Sequence, residues 1–292
     1  LLLTELLFLL YLHTSMPERG PQELSQESLD IESYRPLASL LHTLWNNPAA
    51  VIETHKRILK ESGISLVERL AYCPVPVRLH YPISLSPEQL EKIGLSNNRE
   101  FQITVSKESI FTMYVYGDRT TGEQHVAMIK DIKDGKDVPI RIHSSCLTAE
   151  SFHASNCDCH EQLEMAMNIA EKEGFGGVIW LHQEGRGNGL VAKAKQLKMM
   201  MHDEMNTVEA FQALGYPSEI RDFTPAAEII RDLGIQSIRL ITNNPDKISQ
   251  MQDAGIDVKD IISCYIVPFN GILRKDLIAK RKHHNHLLPD DM

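Results

Sequence analysis

Cys146, Cys157 and Cys159 stand in a C-x10-C-x-C spacing, so three of the chain's five cysteines fall within fourteen residues. Thiolates are soft ligands that suit zinc. A structural zinc site takes four protein ligands, whereas a catalytic one takes three and leaves a position for water. The local cluster offers three. His160 or Cys264 could close the site and make it structural, and Cys73 lies too far along the chain to judge. The polar neighbours Asn156, Asp158 and His160 speak against a dry core position. A water on such a zinc ion has its pKa lowered to about 7, which makes hydroxide available at neutral pH. That is a nucleophile for an electron-poor carbon in a ring or an amide. An odd, clustered set of cysteines fits a reducing compartment and a metal better than a disulfide framework.

A second stretch could handle phosphate. The glycines of EGRGNGL, residues 184–190, let the backbone approach a phosphate closely, ahead of a predicted helix N-terminus. The formal net charge is -9. No basic field therefore draws in a nucleic-acid backbone. An acidic chain that binds phosphate needs a local basic pocket.

Positioning these residues takes an α/β domain. From about residue 100, FQITVSKESIFTMYVYG and EQHVAMIKDI alternate as strands around a Gly-Asp turn. VPIRIHSSC is a further strand that leads into the cysteines. Helix and strand then alternate through CHEQLEMAMNIAEKEG, GGVIWLHQ, LVAKAKQLKMMMHDEM, TPAAEIIRDLG, SIRLITN, NPDKISQMQDAG and VKDIISCYIVPF, with two helices in succession before SIRLITN. The expected fold class is α/β: a mixed-sheet layered catalytic domain with a β-rich entry portion, preceded by a mainly helical N-terminal extension. Residues 1–36 read as an apolar start and loose arm, 37–98 as the helical extension, 99–272 as the catalytic domain and 273–292 as a basic, His-containing tail, frayed at KRKHHNH. Within the extension, helix is expected over about 37–75 with a stop at Gly63, then strand at VPVRLHYPISL and a short helix from Ser86. The opening LLLTELLFLLYL carries Glu5 and is shorter than the about 20 apolar residues a spanning helix takes. It lacks the basic flank and small-residue site of a signal. It reads as a short docking helix or an artefact ahead of Met16, and the protein as cytoplasmic with no membrane partner.

The chemistry-bearing blocks, taken together, resemble a known family. RIHSSCLTAESFHASNCDCHEQL resembles the zinc segment of GTP cyclohydrolase II, and HQEGRGNGL, NTVEAFQALGYPSEIRDFTPAAEIIRDLG and ITNNPDKISQMQDAGI match further segments in order, over roughly residues 100–270. The resemblance implies an enzyme that opens the imidazole ring of GTP, releases formate and pyrophosphate, and feeds riboflavin synthesis. It implies one Zn2+ per chain, Mg2+ with the triphosphate, and a homodimer. Carried over by position, Cys146, Cys157 and Cys159 would bind zinc. Arg141, Gln183, Glu184, Arg186, Thr242 and Lys247 would bind the nucleotide, and Arg221, with Glu219 two residues before it, would act in catalysis. A triphosphate needs fixed positive charge, which the arginine fork and the lysine point charge supply.

Three departures stand out. The family carries a tyrosine on the helix after the EGR segment, and the matching position here is Leu197 or Lys198. Glu219 stands where aspartate is usual, and Asn156 where arginine is common. Losing a positioned acid costs about 10²–10⁴-fold in rate. The reaction then stops early, or Lys198, Tyr216 or another group supplies the proton, or the substrate is another base. The last option resembles the cyclohydrolase-like paralogues of uracil catabolism, which open a pyrimidine nucleotide. A non-catalytic nucleotide-binding paralogue is the remaining alternative.

Overall fold

The computed structural model describes residues 47–92, 101–203 and 205–289. The apolar start, the loose arm and the extension as far as residue 46 lie outside the described residues. The chain divides into two units, residues 1–51 and 52–292. Helix α1, Pro48–Glu61, buries Leu59 and stops where the sequence places its breaker. Gly63 takes φ +67°, a left-handed conformation that costs glycine nothing, and Ile64 N–H then closes onto Leu59 O at 2.9 Å.

Beyond that stop the chain becomes strand, not helix. Strand β1, Val67–Leu85, pairs antiparallel with β2, Phe101–Asp118, along almost its whole length; the short helix α2, Pro87–Lys92, lies between them. The helix expected to reach residue 75 therefore ends fourteen residues early. Pro74 and Pro76 bar a helix interior, and cross-strand pairs such as the stacked rings of Tyr72 and Tyr114, 5.9 Å apart, reward the extended chain. Pro74, Pro76 and Pro82 all fall on alternate positions of β1, which forms one edge of the sheet.

Strand β3, Gln124–Asp131, follows a turn in which Asp118 Oδ1 accepts from Thr120 N–H at 2.7 Å and Thr121 N–H at 3.1 Å. Next come β4, Val138–Ser144; helices α3, Leu147–Phe152, and α4, Cys159–Glu173; and β5, Gly176–Leu181. A 3-10 turn over Glu184–Gly187 leads to α5, Gly189–His202, α6, Thr207–Ala213, and α7, Thr224–Asp232. The chain continues through β6, Ser237–Ile241, α8, Pro245–Asp253, β7, Asp257–Ile262, and α9, Gly271–His284. The strands form one seven-stranded sheet in the order β1-β2-β3-β5-β4-β6-β7. Pairing is antiparallel from β1 to β5 across the sheet and parallel through β5, β4, β6 and β7. This is a mixed-sheet α/β fold with a β-rich entry, as the alternation of patterns implies.

Both faces of the sheet are covered at β4 and β5, so both strands are buried almost throughout, β5 as an apolar run and β4 with Arg141 and His143 among its buried residues. On one face Ile229 and Ile230 of α7 and Met251 of α8 pack on Ile140, Ile142, Ile179 and Leu240. On the other, Ala166, Met167 and Ala170 of α4 pack on Val178 and Ile241, together with Leu79 of β1 and Phe111 of β2. The chain leaves β4 towards β5 on one side, and β6 then lies on the other side of β4. Such a reversal of strand order opens a crevice beyond the carboxyl ends of the strands.

The basic tail is also corrected. Residues 271–284 are helix, not frayed coil: Asn270 caps the helix by accepting from Leu273 N–H at 2.8 Å, and Leu273, Asp276 and Leu277 are buried. The apolar pair at i and i+4 is what docks it. After a left-handed turn at Asn285 the chain runs on, and Leu287 N–H donates to Asn243 O at 2.8 Å.

Candidate active site

Three of the site's segments leave the carboxyl ends of parallel strands. Cys146 follows β4, Gln183 and Glu184 follow β5, and Thr242 follows β6. Cys157 precedes α4 and Cys159 begins it. The three cysteine sulfurs all lie within 4.8 Å of one another, with Cys146 and Cys157 at 3.6 Å. Cys264 is not among them: its sulfur accepts from Arg141 NH1 at 3.2 Å. The ring of His160 instead packs edge-on against His153. Among the described residues the cluster thus holds three ligands, and it lines a cavity. Three converging thiols fit a zinc ion with one position left open.

The surroundings favour negative charge on sulfur. Hydrogen bonds from Cys157 and Cys159, and then the Lys193 ammonium at 2.9 Å, hold the Cys146 thiol far below its usual range against the effect of burial. Cys157 is pushed up to about 12, first by its place opposite Cys146. One thiolate beside two thiols is what three close sulfurs settle to, and a divalent cation would hold all three deprotonated. Glu150 fixes the Cys146 backbone. One of its oxygens accepts from Cys146 N–H at 2.6 Å and from His143 Nε2 at 3.1 Å, and the other accepts from Trp180 Nε1 at 2.8 Å. Arg141 Nε donates to His143 Nδ1, which leaves Nε2 to carry the proton toward Glu150. Burial pushes His143 down to about 4, so the ring is neutral.

All eleven residues singled out from the sequence line the same cavity. Arg221 is clamped by both oxygens of Glu219, with Nε to Oε1 at 2.7 Å and NH2 to Oε2, while NH1 reaches Ser144 Oγ at 3.4 Å. Burial pulls the Arg221 guanidinium down, and the Glu219 bonds more than offset it. Arg186 sits in a left-handed backbone at φ 57°, ψ 35°, uncommon for a residue with a side chain. Its NH1 donates to Ser218 O at 3.3 Å and to His284 Nε2 at 2.8 Å. Gly187 beside it takes φ +88°, and a Cβ there would meet Ile220 at 2.8 Å, so only glycine fits. Lys247 donates to Ile142 O at 2.8 Å. Burial, then Arg141 and Arg221, push its ammonium well below the usual lysine range.

Other candidates are engaged by the protein itself. Arg141 also donates to Ile241 O, Cys264 and Gln162. Gln183 donates to Asp222 O. Glu184 pairs with Lys193 at 2.8 Å and accepts from Leu147 N–H at 2.7 Å. Thr242 Oγ1 accepts from Asn244 N–H at 3.0 Å. Sequence reasoning missed Glu150 and Lys193, and it missed Lys280, His284 and His286, which line the cavity from the segment read as a tail. Lys193 lies one helical turn before Gln196 on the buried face of α5, the one signal that could have found it. Leu197 and Lys198 do not line the cavity, and Lys198 is exposed. Tyr216 packs edge-on against Phe211, outside the cavity.

Comparison with known proteins agrees with the geometry. The family model described as GTP cyclohydrolase II matches residues 97–263. A GTP cyclohydrolase-2 of Neisseria meningitidis is 44% identical over 158 residues, 54% of this chain and 79% of that protein. The riboflavin biosynthesis protein RibBA of Phocaeicola vulgatus is 38% identical over 179 residues, 61% of this chain. RibBA of Bacillus mycoides is 40% identical over 164 residues, 56% of this chain. The chain spans only 44% and 41% of the length of these two RibBA proteins. A family match over more than half of the sequence, centred on the cavity just described, means that the chain belongs to the GTP cyclohydrolase II family.

Proposed function

We propose that this protein is a zinc-dependent cyclohydrolase that opens the imidazole ring of GTP and releases formate and pyrophosphate, at the first step of riboflavin biosynthesis. One observation carries the reading: three thiols suited to a hydrolytic metal face the cavity that Arg186, Arg221 and Lys247 also line. Ring hydrolysis needs the first group and a triphosphate needs the second. Bound zinc would supply Lewis acidity and a hydroxide nucleophile at neutral pH. Cys146, Cys157 and Cys159 hold it. Arg221, oriented by Glu219, stabilises the charge on departing pyrophosphate. Lys247 regains full charge when phosphate arrives, and Mg2+ accompanies the triphosphate. Arg141, Gln183, Glu184 and Thr242 shape the nucleotide pocket, each also bonded to the protein around it. A cytoplasmic homodimer, with the catalytic domain over 99–272, belongs to the same proposal.

A second reading rests on α5, which contains no tyrosine; of the two candidate matching positions, Leu197 has no ionisable proton and Lys198 is exposed. Among the described residues no tyrosine lines the cavity. Ring opening of GTP is then slow to release formate, or the base is a pyrimidine, as in the uracil-catabolic paralogues. The test is a nucleotide panel with GTP and UMP, read by ring absorbance, formate and pyrophosphate, beside elemental analysis. We expect one zinc per chain, loss of the GTP ring, and formate lagging pyrophosphate. Stoichiometric formate from GTP at about 1 s⁻¹ or more would remove the lag. Turnover of UMP alone would favour the pyrimidine reading. Zinc with no turnover of any nucleotide would leave the non-catalytic paralogue.

A further inference from the structure

The cavity is closed on one side by residues beyond the family-matched segment, which ends at 263. Lys280 and His284 of α9, and His286 and Leu288 after it, form that wall. The space left inside is about 150 Å³. Pockets that enclose small molecules run from about 300 to 1,000 Å³. A nucleoside triphosphate therefore extends beyond this space, along the wall that the C-terminal segment forms.

That wall has a particular character. His284 Nε2 accepts a hydrogen bond from Arg186 NH1 at 2.8 Å. Burial and Arg186 push the His284 imidazole down, and burial with Lys280, Arg221, Lys247 and Arg186 pushes His286 down to about 2. Both rings are uncharged, so the segment brings a lone pair but no negative charge to a cluster of cations. A phosphate oxygen offers the same acceptor with charge, and a charge-assisted bond is roughly twice as strong as a neutral one.

We infer that the nucleotide site extends onto the C-terminal segment, and that His284 there holds Arg186 in the place a substrate phosphate takes. The inference deepens the nucleotide reading and rests on it. The segment is fastened lightly enough to move. Arg281 NH1 to Pro289 O at 2.7 Å and His286 N–H to Lys280 O at 3.3 Å hold it to its own helix, while Leu287 N–H to Asn243 O and His284 to Arg186 tie it to the cavity's other walls, and Leu287 and Pro289 are exposed. Substrate binding displaces residues 284–289 while Leu273 and Leu277 keep the first part of α9 docked.

The test uses the full-length, metal-loaded protein and magnesium tripolyphosphate, which occupies the phosphate site without being turned over. Calorimetry compares the wild type with His284→Ala and His284→Gln. We expect His284→Ala to bind about 3- to 10-fold more tightly, the range expected from freeing one donor held by a neutral acceptor. His284→Gln keeps a neutral acceptor and should stay near the wild type, which separates this effect from a folding defect. Hydrogen exchange at 284–289 should rise on adding tripolyphosphate. Equal or weaker binding by His284→Ala, or stronger protection of 284–289, would overturn the inference alone. Failure of all three proteins to bind either tripolyphosphate or GTP would overturn the nucleotide reading, and this inference with it.

Discussion

Glu150 anchors the backbone of the cysteine cluster, although it touches no sulfur. It ties Cys146 N–H, His143 and Trp180 into one buried network. Groups that orient metal ligands typically carry 10- to 100-fold in metal affinity. Glu150→Ala should therefore weaken zinc binding by about that factor, read by competition with a chromophoric chelator; unchanged affinity would mean that Cys146 is held by its sulfur contacts alone. The cysteines themselves were legible because a metal dictates both the residue type and the spacing. Glu150 was not, since a single acid in LTAESF looks like any helix-entry carboxylate until His143 and Trp180 are folded against it. Arg141 and Glu184 show a subtler gap. Their place at the cavity follows from family position, but only the structure reveals that their hydrogen bonds are already spent on protein.

At the scale of elements, Glu171 joins α4 to the antiparallel half of the sheet. It accepts from Lys107 at 2.6 Å and from Ser109, both on β2, and pairs with Lys130 of β3 at 2.8 Å. Burial raises its carboxyl, but the lysine and serine bonds outweigh this and hold it at about 2, against 4.5 for an unperturbed group. A carboxylate lowered by folding adds stability above its unfolded value and loses it as pH falls through the folded one. Glu171→Gln should then be less stable than the wild type at neutral pH, with the gap closing between about pH 4.5 and 2. Denaturant midpoints across that range decide it, and a gap that persists at pH 2 counts against the assignment. The parallel elements were legible because helical and strand patterns alternate between turn signals. The second half of β1, VPVRLHYPISL, was read as strand, but its first part was not, because the apolar residues of VERLAYC follow no strict alternation, and only the partner strand β2 settles it. Helix α9 was hidden by its charge: Leu273, Leu277 and Ala279 are its buried apolar residues behind a basic face.

For the whole molecule, the proposed metal joins the loop after β4 to the start of α4, so binding it should stabilise the folded chain. An ion present at 100 times its dissociation constant adds about 2.7 kcal/mol. In a domain of this size each kcal/mol is worth roughly 2–4 °C. Removing zinc with a chelator should lower Tm by about 5–10 °C, and re-adding zinc should restore it. A Tm that ignores chelation would place the cysteines outside the folding equilibrium.

The prolines of β1 bear on how the molecule behaves in company. Adjacent residues in a strand turn their N–H groups to opposite sides, so Pro74, Pro76 and Pro82 remove donors from a single side of β1. The ladder to β2 continues through all three positions, which makes the depleted side the outer one. An edge missing these three outward donors is a poor template for the backbone of a stranger. At this margin the sheet is protected from the runaway strand-by-strand growth that ends in fibrils, and association there must rely on side chains such as the exposed Leu70 and Tyr72.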